Sequence, residues 1–598
     1  MAVLKIENLI TDHLDLWTAA VRPKSSAGRG SNSKLELTGI KKLRELILEL
    51  AVRGKLVPQD PNDEPASVLL ERIAVEKARL VKEGKIKKPK ALPEIGEEEK
   101  PFELPEGWEW CRLDELSLTS EAGWSPQCDN TPRKNEQWGV LKVSAVTWGK
   151  FLAEENKALP EPLEPKPEYE VLPGDFLISR ANTAELVARA VIAPANTPCK
   201  LMMSDKIIRF RFSHFVNSSY ICLANGSCTS REYYSRVAGG TSSSMKNVSR
   251  LQIQNLVIAL PPLSEQKKIL DNCEKLMALC DQLELRSESQ LAAHQTLVEA
   301  LLATLADSTD ADELAQNWAR LSTHFDTLFT TEASIEALKQ TILQLAVMGK
   351  LVPQDPSDES ASALLERIAA EKAQLVKEKK IKKEKPQPAI SENEKPFELP
   401  QGWEWCRFSN LSTEVATGPF GSMISASEYI SDGIPLINPS HMVNGEIIED
   451  KEITVSMSKA NQLDGYRIKS GDVVMARRGE MGRCALVTER ENNWLCGTGS
   501  FVLKFSAEVN RQYILLMFQS KWVRGYLSGS SVGSTMVNLN HGILNKLPIM
   551  LPPPQEQSRV ILMVDRLMAL CDQLKSRLQT SQQTQLALAE SLVEGALA

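Results

Sequence analysis

Gly54-Lys55-Leu56-Val57-Pro58-Gln59-Asp60-Pro61 recurs without change as Gly349-Lys350-Leu351-Val352-Pro353-Gln354-Asp355-Pro356, 295 residues downstream. Working outward from it, Leu69-Leu70-Glu71-Arg72-Ile73-Ala74 recurs at 364–369, Glu99-Lys100-Pro101-Phe102-Glu103-Leu104-Pro105 at 394–400, and Gly107-Trp108-Glu109-Trp110-Cys111-Arg112 at 402–407. Leu276 through Leu283 recurs at 567–574, now at an offset of 291. Solenoid units run about 20–50 residues. A period this long is therefore a duplicated half-molecule. On the N-terminal side, His13-Leu14-Asp15 resembles His324-Phe325-Asp326 at an offset of 311. The surplus of about 16 residues falls around Ser25–Ser33, whose Ser, Gly and Asn content reads as a flexible linker.

Residues 120–250 and 415–540 share little identity but keep one layout. Gly139–Val143 matches Gly433–Ile437, Gly174–Arg180 matches Gly471–Arg477, and Lys206–Phe212 matches Gly499–Phe505. Each is a short β-rich run bounded by turn residues. Tyr220–Asn225 and Tyr513–Ser520 read as helix starts. The spacing thus predicts two α+β domains of one fold with different surfaces.

Behind each domain stands a long helix. After Pro261-Pro262, Ser264 reads as the N-cap, with Glu265 and Gln266 in the first turn. A 3-4 spacing follows through Ile269, Cys273, Leu276, Cys280, Leu283, Ser287, Gln290, His294, Leu297 and Leu301, with no Pro or Gly over 263–306. Some 42 helical residues would extend about 63 Å. The second copy follows Pro552-Pro553-Pro554 and runs through Val560, Val564, Leu567, Cys571, Leu574 and Leu578. Its Leu592-Val593-Glu594 matches Leu297-Val298-Glu299 at an offset of 295, which predicts four extra residues inside the second helix, a stutter that would locally unwind a coiled coil. Each apolar seam needs a partner, and the other long helix is the simplest one; packing on the helix's own domain is the alternative.

The 598 residues exceed one core, so several domains are expected. No apolar run spans a bilayer, and Met1–Glu7 lacks a basic region followed by an apolar stretch, so the default compartment is the cytoplasm. The 11 cysteines form no C-x-x-C and the 6 histidines no H-x-x-x-H, so no metal site is expected; Cys111, Cys406, Cys280 and Cys571 read as small packing residues. Net charge is −7; residues 101–260 carry 17 basic and 18 acidic side chains, and 396–552 carry 14 and 15. Taken alone this argues mildly against nucleic acid; if domains so nearly neutral bind DNA, much phosphate neutralisation falls to a partner.

As a set, the Gly-Trp-Glu-Trp at 107–110 and 402–405 that opens each variable domain, the Pro-Pro-x-x-Glu-Gln of 261–266 and its like at 552–557 that closes it, and the long helices give a chain that resembles the specificity subunits of type I restriction-modification enzymes. The resemblance covers essentially the whole chain and is strongest to the Ib branch. It implies an α+β fold with an internal pseudo-two-fold repeat: an N-terminal helical region and linker (1–100), target-recognition domain 1 (101–260), a spacer helix (261–306), a central helical region and linker (307–395), target-recognition domain 2 (396–552) and a second spacer helix (553–598), the helices forming a long antiparallel coiled coil. It implies further that each domain reads half of a split double-stranded DNA target. Two modification subunits would supply S-adenosylmethionine chemistry at adenine N6. Two restriction subunits would add ATP- and Mg-dependent translocation and cleavage. This chain itself would hold no cofactor and catalyse nothing.

Bases are read best by Arg, Lys, Asn, Gln and small hydroxyl residues on loops. In the first domain these are Arg133, Lys142, Ser144, Arg180, Asn182, Thr183, and the run Thr241, Ser242, Ser243, Ser244 and Lys246 after Gly239-Gly240. In the second they are Thr417, Phe420, Ser422, Arg477, Arg478, Ser534, Thr535, Asn538 and His541. Arg180 and Arg477 share a frame position just past a strand. At any single position the alternative is a solvated loop side chain. The basic runs Lys82–Lys90 and Lys377–Lys385 read as linker faces, and Trp108, Trp110, Trp403 and Trp405 as packing. There is no G-x-x-x-x-G-K-[ST] and no Asp/Asn-Pro-Pro-Tyr/Phe, so neither ATP hydrolysis nor methyl transfer is read here. The competing class is a scaffold whose globular domains bind proteins.

Overall fold

The computed structural model describes residues 6–23, 35–89, 91–128, 130–134, 136–147, 149–240, 245–383, 385–529 and 539–597. The linker around Ser25–Ser33 lies outside them. The chain divides into two compact units, Met1–Gln290 with Ser581–Ala598, and Leu291–Thr580. Each long helix, Leu263–Asp307 and Pro554–Leu597, begins in one unit and ends in the other.

In the first unit, strands Ser117–Ala122, Ile207–Phe212, Phe176–Ser179 and Ala190–Ile192 form an antiparallel four-stranded sheet in that order. Their β-branched and aromatic residues fill the core, with Phe176, Ile178, Ile208 and Phe210 all buried. A smaller sheet has Gly139–Leu141 at its centre, parallel to Leu201–Met202 and antiparallel to Asn156–Ala158. The domain opens and closes on one ribbon, Glu109–Arg112 against Val257–Leu260, which explains why Gly-Trp-Glu-Trp-Cys-Arg stands at the boundary.

The second unit repeats this plan. Strands Ser412–Thr417, Ser500–Phe505, Val473–Ala476 and Cys484–Leu486 form the four-stranded sheet. Ile434–Ile437 is parallel to Leu495–Cys496 and antiparallel to Thr454–Val455, and Glu404–Arg407 pairs with Pro548–Leu551. The expected strand and helix positions are met, the helices being Ser218–Gly226 and Arg511–Gln519. What differs is local: among the described residues the second unit adds the hairpin Met442–Val443/Glu446–Ile447 and the helix Met457–Gln462.

The repeated motifs meet at one buried carboxylate per unit. Gln59 donates to Glu265 Oε1 at 3.1 Å and Trp108 Nε1 to Glu265 Oε2 at 3.0 Å. In the other unit Gln354 donates to Glu556 Oε1 at 3.2 Å, with Trp403 buried. Gly54 and Gly349 hold positive φ of 66° and 71°, and a Cβ there would stand 2.4 Å and 2.5 Å from Cγ of Pro105 and Pro400. Only glycine fits. The segments before each domain are not loose. Arg112 clasps Glu99 at 3.1 and 2.8 Å and donates to the Pro93 and Asn255 carbonyls; Arg407 clasps Glu394 at 2.7 and 2.9 Å and donates to those of Pro388 and Lys546.

Three expectations about the helices need correction. The first helix starts at Leu263, so Ser264 lies inside it, and Pro262 O accepts the amide of Gln266 at 3.0 Å. The apolar stripe changes rows near its end: Leu297 is 52% exposed while Val298, Leu302 and Leu305 are buried. The second helix contains no four-residue excess. The two are 45 and 44 residues long, and the buried positions Val298 and Leu305 answer to Ala589 and Ala596, an offset of 291 throughout. Four residues are close to one turn, so Leu592-Val593-Glu594 resembles the earlier triplet while standing a turn further along. The change of offset from 295 to 291 falls inside the recognition domain, where the stretch from Arg407 to Pro548 is four residues shorter than that from Arg112 to Val257.

Candidate nucleic-acid interface

Each four-stranded sheet has one edge where two strands end and a third begins. In the first unit Ile208 pairs with Ala122 and Ile207 with Ser179; in the second Phe501 pairs with Thr417 and Ser500 with Ala476. The chain leaves both edges through a glycine. Gly123 N–H donates to Ile207 O and Gly418 N–H to Ser500 O, and a Cβ would lie 2.1 Å from Met203 O or 2.2 Å from Gly497 O.

Arg180 and Arg477 occupy matched places at these edges. Arg180 N–H donates to Lys206 O at 2.8 Å and its carbonyl accepts from Val248 at 2.9 Å; Arg477 N–H donates to Gly499 O at 2.8 Å and its carbonyl accepts from Leu539 at 3.1 Å. The shared frame read from sequence is therefore a shared backbone geometry.

Around Arg477 the side chains converge. Its guanidinium lies 4.9 Å over the Phe501 ring, Phe501 lies 5.3 Å from the His541 ring, and His541 Nε2 is 3.4 Å from Thr417 Oγ1. Burial first, and then the Arg477 charge, push the His541 pKa down, so the imidazole is held neutral as a donor–acceptor pair. Burial and the neighbouring Arg478 lower Arg477 as well. Phe420, 71% exposed, and Ser422 stand on the loop that leaves Thr417. Ser534, Thr535 and Asn538 lie outside the described residues.

The first unit builds its edge differently. Asn182 pairs across a short ribbon with Lys246, donates to Thr147 Oγ1 at 3.1 Å and accepts from the Thr183 amide at 2.8 Å. Lys246 Nζ reaches Gly240 O at 2.8 Å. Thr147 closes the 3-10 turn Val143–Val146, so the turn that carries Ser144 and follows Lys142 joins the cluster. Ser144 donates to Glu155 Oε2 at 2.7 Å and Lys142 Nζ lies 3.6 Å from it, which together lower the Glu155 pKa. The Arg180 Nε is buried and, among the described residues, has no hydrogen-bond partner. Arg133 is engaged elsewhere, on the carbonyls of Gln137, Cys199 and Lys200. Thr241, Ser242, Ser243 and Ser244 lie outside the described residues.

Three members of these edges were missed by sequence reasoning. Phe501 is one; alternation alone does not say which strand aromatic ends at an edge. Thr147 is another. The third, Arg250, was within reach: Ser249 and Asn540 cap matched helices, so the offset of 291 places Arg250 where His541 stands. Arg250 Nη1 donates to Ser120 O at 3.2 Å.

The chain thus carries two copies of one domain whose polar edges match in backbone and differ in side chain. Residues 105–293 and 414–581 match the family model of the type I restriction modification DNA specificity domain. The chain is 44% identical over 99% of its length to the whole of the EcoEI specificity subunit of type I restriction enzymes from Escherichia coli, and 42% identical, with the same coverage, to the EcoAI specificity subunit. A solved chain from a study of complex assembly and conformational transition of the type I R-M system aligns with 83% of this chain and 99% of its own, at 17% identity and a TM-score of 0.48. The protein belongs to the specificity subunits of type I restriction enzymes. It is the DNA-recognising, non-catalytic subunit, with two recognition domains, and it partners DNA and the other subunits of the system. Among the described residues no helix is long and apolar enough to cross a membrane.

Proposed function

We propose that the edges around Arg180 and Arg477 each read one half of a bipartite duplex target, with the long helices setting the separation of the halves and carrying two modification subunits. The observation that carries this is the matched backbone frame of the two arginines with unlike neighbours: Asn182, Thr183 and Lys246 beside one, Thr417, Phe501 and His541 beside the other. One geometry with two side-chain sets is what reading two different short sequences requires. With 17 basic and 18 acidic residues in one domain and 14 and 15 in the other, counterion release falls to the partner subunits that close on the duplex. Those partners would hold S-adenosylmethionine for methyl transfer to adenine N6, and two restriction subunits would hold ATP and Mg. The assembly would work in the cytoplasm.

The test is a low-salt gel shift of the chain with its modification subunit, paired with single-molecule methylation mapping in cells. One split motif of two short half-sites at fixed separation is the expected result. Retention that is indifferent to sequence across a random library would favour the protein-binding scaffold instead.

A further inference from the structure

The repeated octapeptide holds two helix ends at once. In the first unit Gln59 donates to Glu265, in the first turn of the helix Leu263–Asp307, while Lys55 Nζ donates at 2.8 Å to Leu597 O, at the last turn of Pro554–Leu597. In the second unit Gln354 donates to Glu556 at the start of Pro554–Leu597, while Lys350 Nζ donates to Ala306 O and Ser308 O, both at 2.8 Å, at the end of Leu263–Asp307. Each glutamine also curls back onto its own loop, Gln59 to Gly54 O at 2.6 Å and Gln354 to Gly349 O at 2.7 Å, so both grips belong to one stiff turn.

The physics of the lysine grip is specific. The last turn of a helix leaves carbonyls without intrahelical partners and carries the negative end of the macrodipole. An ammonium placed there makes charge-assisted bonds and stops the end from fraying. From Glu265 to Ala306 and from Glu556 to Leu597 the gripped interval is the same 41 residues, about 62 Å of helix.

We infer that the octapeptide is a two-ended helix clamp in which Lys55 and Lys350 are positioning residues that fix the working length of the long helices, and with it the separation between half-sites that the protein accepts. The inference rests on the reading given under Proposed function. Neither lysine touches DNA in this account; each acts through the helix end that it holds.

The test expresses the full chain with its modification subunits and maps methylated adenine by single-molecule sequencing. Lys55→Ala with Lys350→Ala is expected to keep both half-site sequences while methylation at separations one base pair longer or shorter rises about tenfold. Lys55→Arg with Lys350→Arg keeps a charged donor and is expected to restore the single separation. Loss of methylation in the alanine pair that the arginine pair restores supports the clamp equally. An unchanged separation in the alanine pair overturns it, as does loss in both pairs, which would make the lysines general folding residues. If the parent chain methylates no split motif, the functional reading fails instead. The clamp is then tested by amide exchange at 303–307 and 594–597, which the alanine pair should accelerate; unaltered exchange there overturns it.

Discussion

The indole N–H of Trp108 donates to a carboxylate oxygen of Glu265 at 3.0 Å, across 157 residues of sequence. Domain entry and the first turn of the long helix are thereby one structural unit. Burial pushes the Glu265 pKa up, and the Gln59 and Trp108 donors oppose it. Trp108→Phe keeps an aromatic ring, though a smaller one, and removes one donor from a buried carboxyl, a loss of about 1–3 kcal/mol before the cost of the space left by the indole. Faster amide exchange over 264–268 is the expected readout. Exchange at the parent rate would show that the bond contributes nothing.

Arg180→Ala and Arg477→Ala should each blur one half-site and spare the other. Loss of a side chain that reads a base costs about 1–3 kcal/mol of discrimination. Methylation mapping would show degenerate letters in a different half for each variant. A uniform loss of methylation without loss of letters would make these arginines phosphate contacts.

Because both gripped intervals are 41 residues, the helices should tolerate only paired changes in length. Four residues added to one helix alone, within 284–296 or 575–587, should abolish binding. The same insertion in both adds about 6 Å of rise, and should lengthen the accepted separation by about one to two base pairs. A single insertion that shifts the separation cleanly would contradict this account.

Arg209 lies buried in the first sheet, 2.9 Å from Asp175 and bonded to Glu121 and the carbonyls of Glu168 and Glu170. In the second sheet the matching position is Val502. Arg209→Ala strands a buried carboxylate and should destabilise the first domain by about 3–5 kcal/mol. Thermal unfolding should reveal it, with the second domain unaffected.

Arg407 holds the Glu394 pKa at about 2, helped by the Ser391 amide. The folded value lies below the ordinary 4.5, so the contribution is complete above about pH 4.5 and is lost as pH falls toward 2. Glu394→Gln should be less stable than the parent at pH 6, with the gap narrowing below pH 4.5 and closing only as pH falls through about 2. A gap independent of pH would point to packing rather than charge.

Much of the fold is legible in the sequence itself. The duplication, the strands ending at Ser179 and Ala476 and the helices behind Pro262 and Pro553 follow from repeated words and from periods of 2 and 3.6 residues, which are local properties of a chain. The frame shared by Arg180 and Arg477 was legible for the same reason. Hidden from that reading were the partners: Glu265 for Trp108, Leu597 for Lys55, Phe501 for Arg477, and the turn-sized displacement that made Leu592-Val593-Glu594 look equivalent to Leu297-Val298-Glu299. Periodicity states which face of an element turns inward. It does not state what that face meets, because hydrogen bonds and buried charges are satisfied between segments hundreds of residues apart. The residues chosen for those roles became visible only once the chain had closed on itself.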